Sequence, residues 1–165
     1  MIVYEYAPNG IQKRVKRIML EYHKWILDMD IPYRVLISEG DKSPRIAFVA
    51  SLNGVNGFYS QAKFHIAVSK EKWAELNSEQ KEFVIDHELT HLRLRMKKGG
   101  EVATDHEGLP RIMIRRHDIE DFTEVIKRRG INVMEGNKTF FKEIKKLSNK
   151  GRKKKGAVEL AKSTK

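Results

Sequence analysis

The sequence predicts an α+β domain built on a short, mostly antiparallel sheet. Three observations support this class: a long helical pattern near the N-terminus, several strand patterns between residues 33 and 69, and an apolar helical pattern around residues 83–94. Elements of both kinds must bury their apolar faces against one another. We therefore expect the sheet to pack against an N-terminal helix and a central helix.

The length and composition limit the class of protein. The chain has 165 residues, enough for one domain with a sizeable core. It contains no cysteine, so disulfides and thiolate metal sites are excluded, and a reducing, cytoplasmic setting is expected. No basic N-terminal stretch precedes an apolar run, and no stretch of about 18 residues is continuously apolar. We accordingly expect neither a signal peptide nor a membrane partner.

The formal net charge of +11 is concentrated near the C-terminus. Residues 142–165 contain ten Lys or Arg against two Glu, so they carry +8, which leaves +3 for residues 1–141. This division predicts a domain over residues 1–148 and a basic, flexible tail over residues 149–165. Arg152, Lys153, Lys154 and Lys155 would either contact nucleic-acid phosphates without sequence preference or form part of a solvated, solubilising tail.

Residues 9–29 form the first predicted helix, because apolar side chains recur at intervals of three and four from Ile11 to Met29. The opposite face is basic, and His23 is the one histidine on it. A lone helical histidine is more often a surface residue than a ligand, so we expect His23 to be exposed. Pro32 ends the segment because it cannot continue a helix.

Three or four strands follow, at residues 33–38, 45–52, 58–61 and 63–69. The Asn-Gly pairs within residues 53–57 are typical of a tight turn, so we expect a hairpin there. In the last strand, Phe64, Ile66 and Val68 share one face, while His65 lies on the other and is expected to be structural or solvent-facing. This strand, if it lies at the sheet edge, would bind an extended peptide by strand addition.

The central helix contains the motif His87-Glu88-Leu89-Thr90-His91. Two imidazoles one helical turn apart point the same way and can bind one metal ion, with Glu88 beside them. Apolar residues on both sides of the motif indicate that the helix is largely buried. Histidines and a glutamate are costly to bury without a role, so the pattern predicts a metal site.

The limits of this helix follow from capping signals. Asn77 or Ser78 is the predicted N-terminal cap, with Gln80 three residues after Asn77, and Gly99-Gly100 predicts the C-terminal end. On a helical wheel, Leu92 lies in the core stripe. Asp86 falls in a narrow polar strip that we expect to face solvent.

Catalytic zinc usually has three protein ligands and a water, so a donor beyond His87 and His91 is needed. We favour His117, because it lies at the N-terminal edge of a predicted helix that must pack on the core and would hold the ring rigidly. The alternatives are His106 and the carboxylates of Glu120 and Asp121.

Such a site predicts hydrolysis of a peptide or protein substrate. Zinc lowers the pKa of its bound water from about 15.7 toward 7. Glu88 would accept the proton as the water attacks a polarised carbonyl, and would return it to the departing amine. Candidates for stabilising the oxyanion include Tyr59 and His65.

The arrangement of these residues resembles the phage metallopeptidase family of zincin-like proteins, over about residues 5–130. The resemblance is carried by Trp73, residues 76–92 with the His87-Glu88-x-x-His91 motif, the later His117-Asp118-x-x-Asp121-Phe122, and Arg128-Arg129-Gly130. It implies a compact zincin-like fold, zinc (Zn2+) bound by His87, His91 and His117, and Glu88 as the catalytic base. The chain is more distantly similar to SprT-like proteases.

Two other functions are compatible with the sequence. The first is a zinc-binding regulator that keeps the motif without turnover. The second is a protease resembling the SprT-like proteins that act on DNA-bound proteins, with the basic tail as a tether to phosphates.

Overall fold

The computed structural model describes residues 1–52, 54–116 and 123–129 and confirms the α+β class. From the N-terminus, its elements are β1 Val3–Tyr6, α1 Asn9–Tyr22, α2 Trp25–Asp28, β2 Tyr33–Glu39, β3 Ala47–Ser51, α3 Gly54–Ser60, β4 Phe64–Ser69, α4 Lys70–Glu75, α5 Ser78–Thr90, β5 Leu92–Leu94, β6 Ile112–Ile114 and α6 Thr123–Arg129.

The first four strands form one mixed sheet in the order β1-β2-β4-β3. The β1–β2 and β3–β4 pairs are antiparallel, and the central β2–β4 pair is parallel. The expected predominance of antiparallel pairing is therefore confirmed. β4 has a neighbour on each side, so the prediction that it could lie at the edge and bind a peptide by strand addition is wrong. β5 and β6 form a separate antiparallel pair.

The core lies between the sheet and two helices. α1 and α5 contact each other, α1 also contacts β2, and α5 contacts β3. Phe64, Ile66 and Val68 are fully buried, as the alternation in β4 predicts. Ile85 and Leu89 of α5 are fully buried as well, so the central helix runs along the core.

The predicted helix over residues 9–29 is divided in two, because α1 ends at Tyr22 and α2 begins at Trp25. His23 is the C-terminal cap of α1, where its backbone N–H donates to the carbonyl of Met19 at 2.9 Å. Its backbone leaves the helical region, with φ −130°. The apolar residues of both short helices keep one continuous helical spacing, which explains why the sequence suggests a single helix.

The predicted hairpin within residues 53–57 and the strand at residues 58–61 are wrong, because residues 54–60 form helix α3. β3 and β4 do pair as antiparallel neighbours, and Leu52 N–H donates to the carbonyl of Lys63 at 2.7 Å where they meet the connection. The connection therefore contains a helical turn in place of a tight one. α3 ends before Gln61, which has a left-handed φ of 50°.

The central helix ends at Thr90, nine residues before the predicted stop at Gly99. The Leu-Arg-Leu-Arg alternation that begins at Leu92 has the period of a strand, and residues 92–94 form β5. Leu92 and Leu94 pair with Ile114 and Ile112 of β6. Gly100 instead lies in the turn between Met96 and Val102, which form an antiparallel bridge, and it has a φ of +84°.

The chain divides into two compact units, Met1–Arg128 and Arg129–Lys165. The predicted boundary between residues 148 and 149 lies outside the described residues, as do Arg152, Lys153, Lys154 and Lys155. The predicted tail and its nucleic-acid contacts therefore stay predictions. Within the described ranges, no helix has both the length and the apolar character needed to cross a membrane.

Candidate metal centre

The motif His87-Glu88-x-x-His91 lies at the C-terminal end of α5. A capping box begins this helix: the Asn77 side chain accepts from Gln80 N–H at 2.9 Å, and the Gln80 side chain accepts from Asn77 N–H at 3.0 Å. This cap confirms the predicted start. His91 is the C-terminal cap but keeps helical dihedrals, φ −64° and ψ −23°. The spacing of four residues therefore still places His87 and His91 on the same face.

His87, Glu88 and His91 form the candidate metal group. Each residue is half-buried and offers one ligand atom, and these three atoms all lie within 4.8 Å of one another. The rings of His87 and His91 have centroids 5.2 Å apart and planes at 72°. Nitrogen donors bind zinc at about 2.0–2.1 Å, so two donors on one ion are roughly 3.4 Å apart. The donor types suit a zinc ion, and the upper limit of 4.8 Å is compatible with the separation that zinc requires.

The imidazole of His91 has a defined tautomer. Its Nδ1 lies 2.8 Å from the backbone carbonyl oxygen of Arg115. A carbonyl can only accept, so Nδ1 carries the proton and the lone pair is on Nε2. Arg115 N–H also donates to the carbonyl of His91 at 2.8 Å, which fixes both backbones. A carbonyl on the far nitrogen is the usual support of a metal-binding histidine.

The carboxylate of Glu88 is oriented by the sheet. Its Oε2 accepts a hydrogen bond from the backbone N–H of Val49 at 3.1 Å. Val49 lies in the middle of β3, which pairs with β4 on its other side. The edge strand thus holds the carboxylate beside the two histidines. No sequence signal marks Val49 or Arg115 in this role, because both act through backbone atoms.

Asp86 anchors the opposite side of α5. This residue is fully buried, and its Oδ1 accepts from His23 Nε2 at 2.8 Å. Arg128 donates to the same carboxylate through Nη2 at 2.7 Å and Nε at 3.2 Å. The predictions that His23 is exposed and that Asp86 faces solvent are therefore wrong. Because α5 has the core on one side and the metal group on another, little of its surface is left for solvent. The guanidinium of Arg128 pairs with the Asp86 carboxylate and allows it to be buried.

The predicted third ligand lies outside the described residues, which stop at Arg116 and resume at Thr123. His117, Glu120 and Asp121 therefore stay predictions. His106 is described, but among the described residues it does not join the group of His87, Glu88 and His91. It lines a cleft instead.

The two oxyanion candidates, His65 and Tyr59, lie on β4 and α3 and not on the helix that carries the metal group. His65 alternates with the buried Phe64 and Ile66, so its ring lies on the other sheet face, edge-on to Phe48 with centroids 5.6 Å apart. Partial burial there lowers the pKa of His65. Tyr59, on α3, is 80% exposed. Neither side chain forms a hydrogen bond or a ring contact with His87, Glu88 or His91.

A cleft of about 1500 Å³ lies between α3 and the β5–β6 pair. Its lining includes Ser51, two residues from Val49, and Ile114, next to Arg115. It therefore begins close to the backbone groups that orient Glu88 and His91. The metal group itself is outside the lining.

Comparison with known proteins gives one match. The model of the family described as "Putative phage metallopeptidase" matches residues 3–154, which include every described element and the metal group. No curated protein and no solved structure matches the chain.

Proposed function

Since the chain belongs to the phage metallopeptidase family, we propose that it is a zinc-dependent peptidase in which Glu88 is the general base. One observation carries the proposal: the ligand atoms of His87, Glu88 and His91 lie within 4.8 Å of one another on one helix end. A family of metallopeptidases implies a metal ion, and two imidazoles beside a carboxylate are a donor set suited to zinc.

The zinc ion would be held by Nε2 of His91, by His87 and by His117. Bound there, zinc would supply a Lewis acid for the scissile carbonyl and would lower the pKa of water. Support for His117 comes from the chain path: Arg115, two residues earlier, accepts a hydrogen bond from His91 through its carbonyl. The chain therefore leaves the described part beside the metal group.

Glu88 would move the proton in each half of the reaction. Its carboxylate takes the proton of the attacking water and then protonates the departing amine. The hydrogen bond from Val49 N–H to Oε2 keeps the carboxylate from rotating away. The proton transfer requires this fixed geometry, because a donor and an acceptor must lie within about 3 Å.

Metal analysis and proteolysis of purified variants test the proposal. We expect Glu88→Gln to retain about one zinc per chain but to lose peptide cleavage at least about 100-fold, because only the base is removed. We expect His87→Ala and His91→Ala to lose zinc. His117→Ala should also lose it, whereas His106→Ala should not.

His65→Ala is the matched control, because His65 lies on the sheet face opposite Phe64 and Ile66. This variant should retain both zinc and activity. Full activity in Glu88→Gln would contradict the assignment of the base. Zinc binding without any Glu88-dependent cleavage would instead identify a non-catalytic zinc-binding regulator.

A further inference from the structure

Three arginines share one exposed face of the β5–β6 pair. The register places Arg93 opposite Met113, and Arg95 N–H donates to the carbonyl of Arg111 at 2.9 Å just beyond the paired strands. Because successive side chains in a strand point to alternate faces, the three arginines share a face with Met113, and Leu92 lies on the other face. All three arginines are exposed. We call Arg93, Arg95 and Arg111 the arginine face.

The carboxylates of the same segment are already paired with lysines. Residues 92–116 contain three of them. Glu101 pairs with Lys97 at 3.5 Å, and Asp105 and Glu107 pair with Lys63 at 2.5 and 3.0 Å. In the described part of the chain, no carboxylate pairs with the arginine face. Arg95 and Arg111 are cross-strand neighbours, and like charges in that position repel each other. Among the described residues, no carboxylate therefore neutralises the positive charges of the arginine face.

Two members of the arginine face line the cleft between α3 and the β5–β6 pair, which begins close to the backbone groups that orient Glu88 and His91. Arg95 and Arg111 lie in its wall, together with the exposed apolar side chain of Met113 on the same face. Tyr59 of α3 contributes to the opposite wall. Lys63, Asp105 and Glu107 line the same cleft, so its charged side chains sum to +1 with His106 neutral. Arg95 and Arg111 are therefore the positive charges of the lining without a carboxylate partner among the described residues, and they lie beside apolar surface.

We propose that the arginine face makes this cleft select peptide substrates that carry acidic side chains. This inference rests on the proposed peptidase function and adds a substrate class to it. Guanidinium groups bind carboxylates through two parallel hydrogen bonds, which favours Asp and Glu over their amides. The apolar wall favours a peptide over a nucleic acid, because phosphates would contact the positive charges alone.

Binding measured without turnover tests the inference. Zinc-loaded Glu88→Gln protein is titrated with fluorescent peptides rich in Asp and Glu and with matched peptides in which Asn and Gln replace them. We expect the acidic peptides to bind about tenfold more tightly at low ionic strength, because two exposed ion pairs contribute that much. Adding Arg95→Gln and Arg111→Gln should bring the two affinities together, and high salt should do the same.

The matched control is Lys13→Gln with Lys16→Gln, which removes two exposed positive charges from α1 and should leave the preference unchanged. Equal binding of acidic and amide peptides would overturn the inference, as would a preference that survives loss of both arginines. It would also be overturned if single-stranded DNA bound through these arginines while acidic peptides showed no preference. Because this assay needs no cleavage, an inactive wild-type enzyme would count against the proposed function alone.

Discussion

Asp86 is the residue whose environment departs most from its expected one. Its side chain is 0% exposed, and it connects the end of α1 to α6 through His23 and Arg128. Arg128 also lies over the ring of Tyr22, with its guanidinium carbon 4.9 Å from the centroid. A buried carboxylate is tolerated because two donors compensate its lost hydration. Two segments that are distant in the chain therefore hold the residue that precedes His87, the first of the proposed metal ligands.

Removal of Arg128 should be strongly destabilising. Arg128→Ala leaves the Asp86 carboxylate buried without its guanidinium, and we expect the free energy of unfolding to fall by about 3 kcal/mol. The measurement is urea unfolding followed by circular dichroism. Arg17→Ala is the matched control, because Arg17 forms an exposed ion pair with Glu82 of the same helix. Its loss should cost less than about 1 kcal/mol. Equal effects of the two substitutions would contradict this account of Asp86.

At the scale of elements, α5 is defined at its two ends by different kinds of interaction. The capping box of Asn77 and Gln80 is local and begins the helix. The end at Thr90 coincides with the start of β5, whose partner β6 lies about twenty residues later in the chain. A three-residue strand thus replaces the continuation of the helix. The motif depends on this end, because His91 keeps helical geometry while the backbone of the next residue begins a strand.

The cap should make a measurable contribution to stability. Asn77→Ala removes the side chain that accepts from Gln80 N–H, and we expect a loss of about 1 kcal/mol. Thermal and urea unfolding would measure it. Asn9→Ala is the matched control: Asn9 opens α1, whose cap position is Pro8 and has no side-chain hydrogen bond. A loss in Asn9→Ala as large as in Asn77→Ala would argue against a specific capping effect.

At the scale of the whole molecule, Lys63 joins the main sheet to the β5–β6 region through ion pairs with Asp105 and Glu107. Lys63 directly precedes β4, and Asp105 lies between β5 and β6. The hydrogen bond from Lys63 lowers the pKa of Asp105 below its usual value of 3.8. The same bond raises the pKa of Lys63. The Asp105 carboxylate also accepts from the backbone N–H groups of Glu107 and Leu109, which shapes the loop along the cleft.

The pair of Lys63 and Asp105 should make the protein sensitive to acid. Because folding lowers the pKa of Asp105, the unfolded chain binds a proton more readily, and stability is lost as the pH falls below about 4. We expect Asp105→Asn to be less stable at neutral pH and to show a shallower decline in acid. Unfolding free energies across that pH range measure both effects. Lys63→Met should flatten the decline in the same way. An unchanged acid slope in both variants would refute the assignment.

The sequence by itself determined the features that depend on neighbours within one turn or one strand. These are the cap at Asn77, the spacing of His87 and His91, and the alternation of Phe64, Ile66 and Val68, since local backbone geometry dictates each of them. The family resemblance was likewise visible in these residues and is confirmed.

Only the tertiary structure decided what depends on partners far along the chain. Three features depend on such partners: the end of α5, the central place of β4, and the burial of His23 with Asp86, which is 63 residues away. Pairing and burial of this kind compete with local propensity and can override it, because each adds contacts that no local pattern contains. The hydrogen bonds that orient Glu88 and His91 are formed by backbone atoms of other residues. Every residue carries these atoms, so the residue type does not indicate where such hydrogen bonds form.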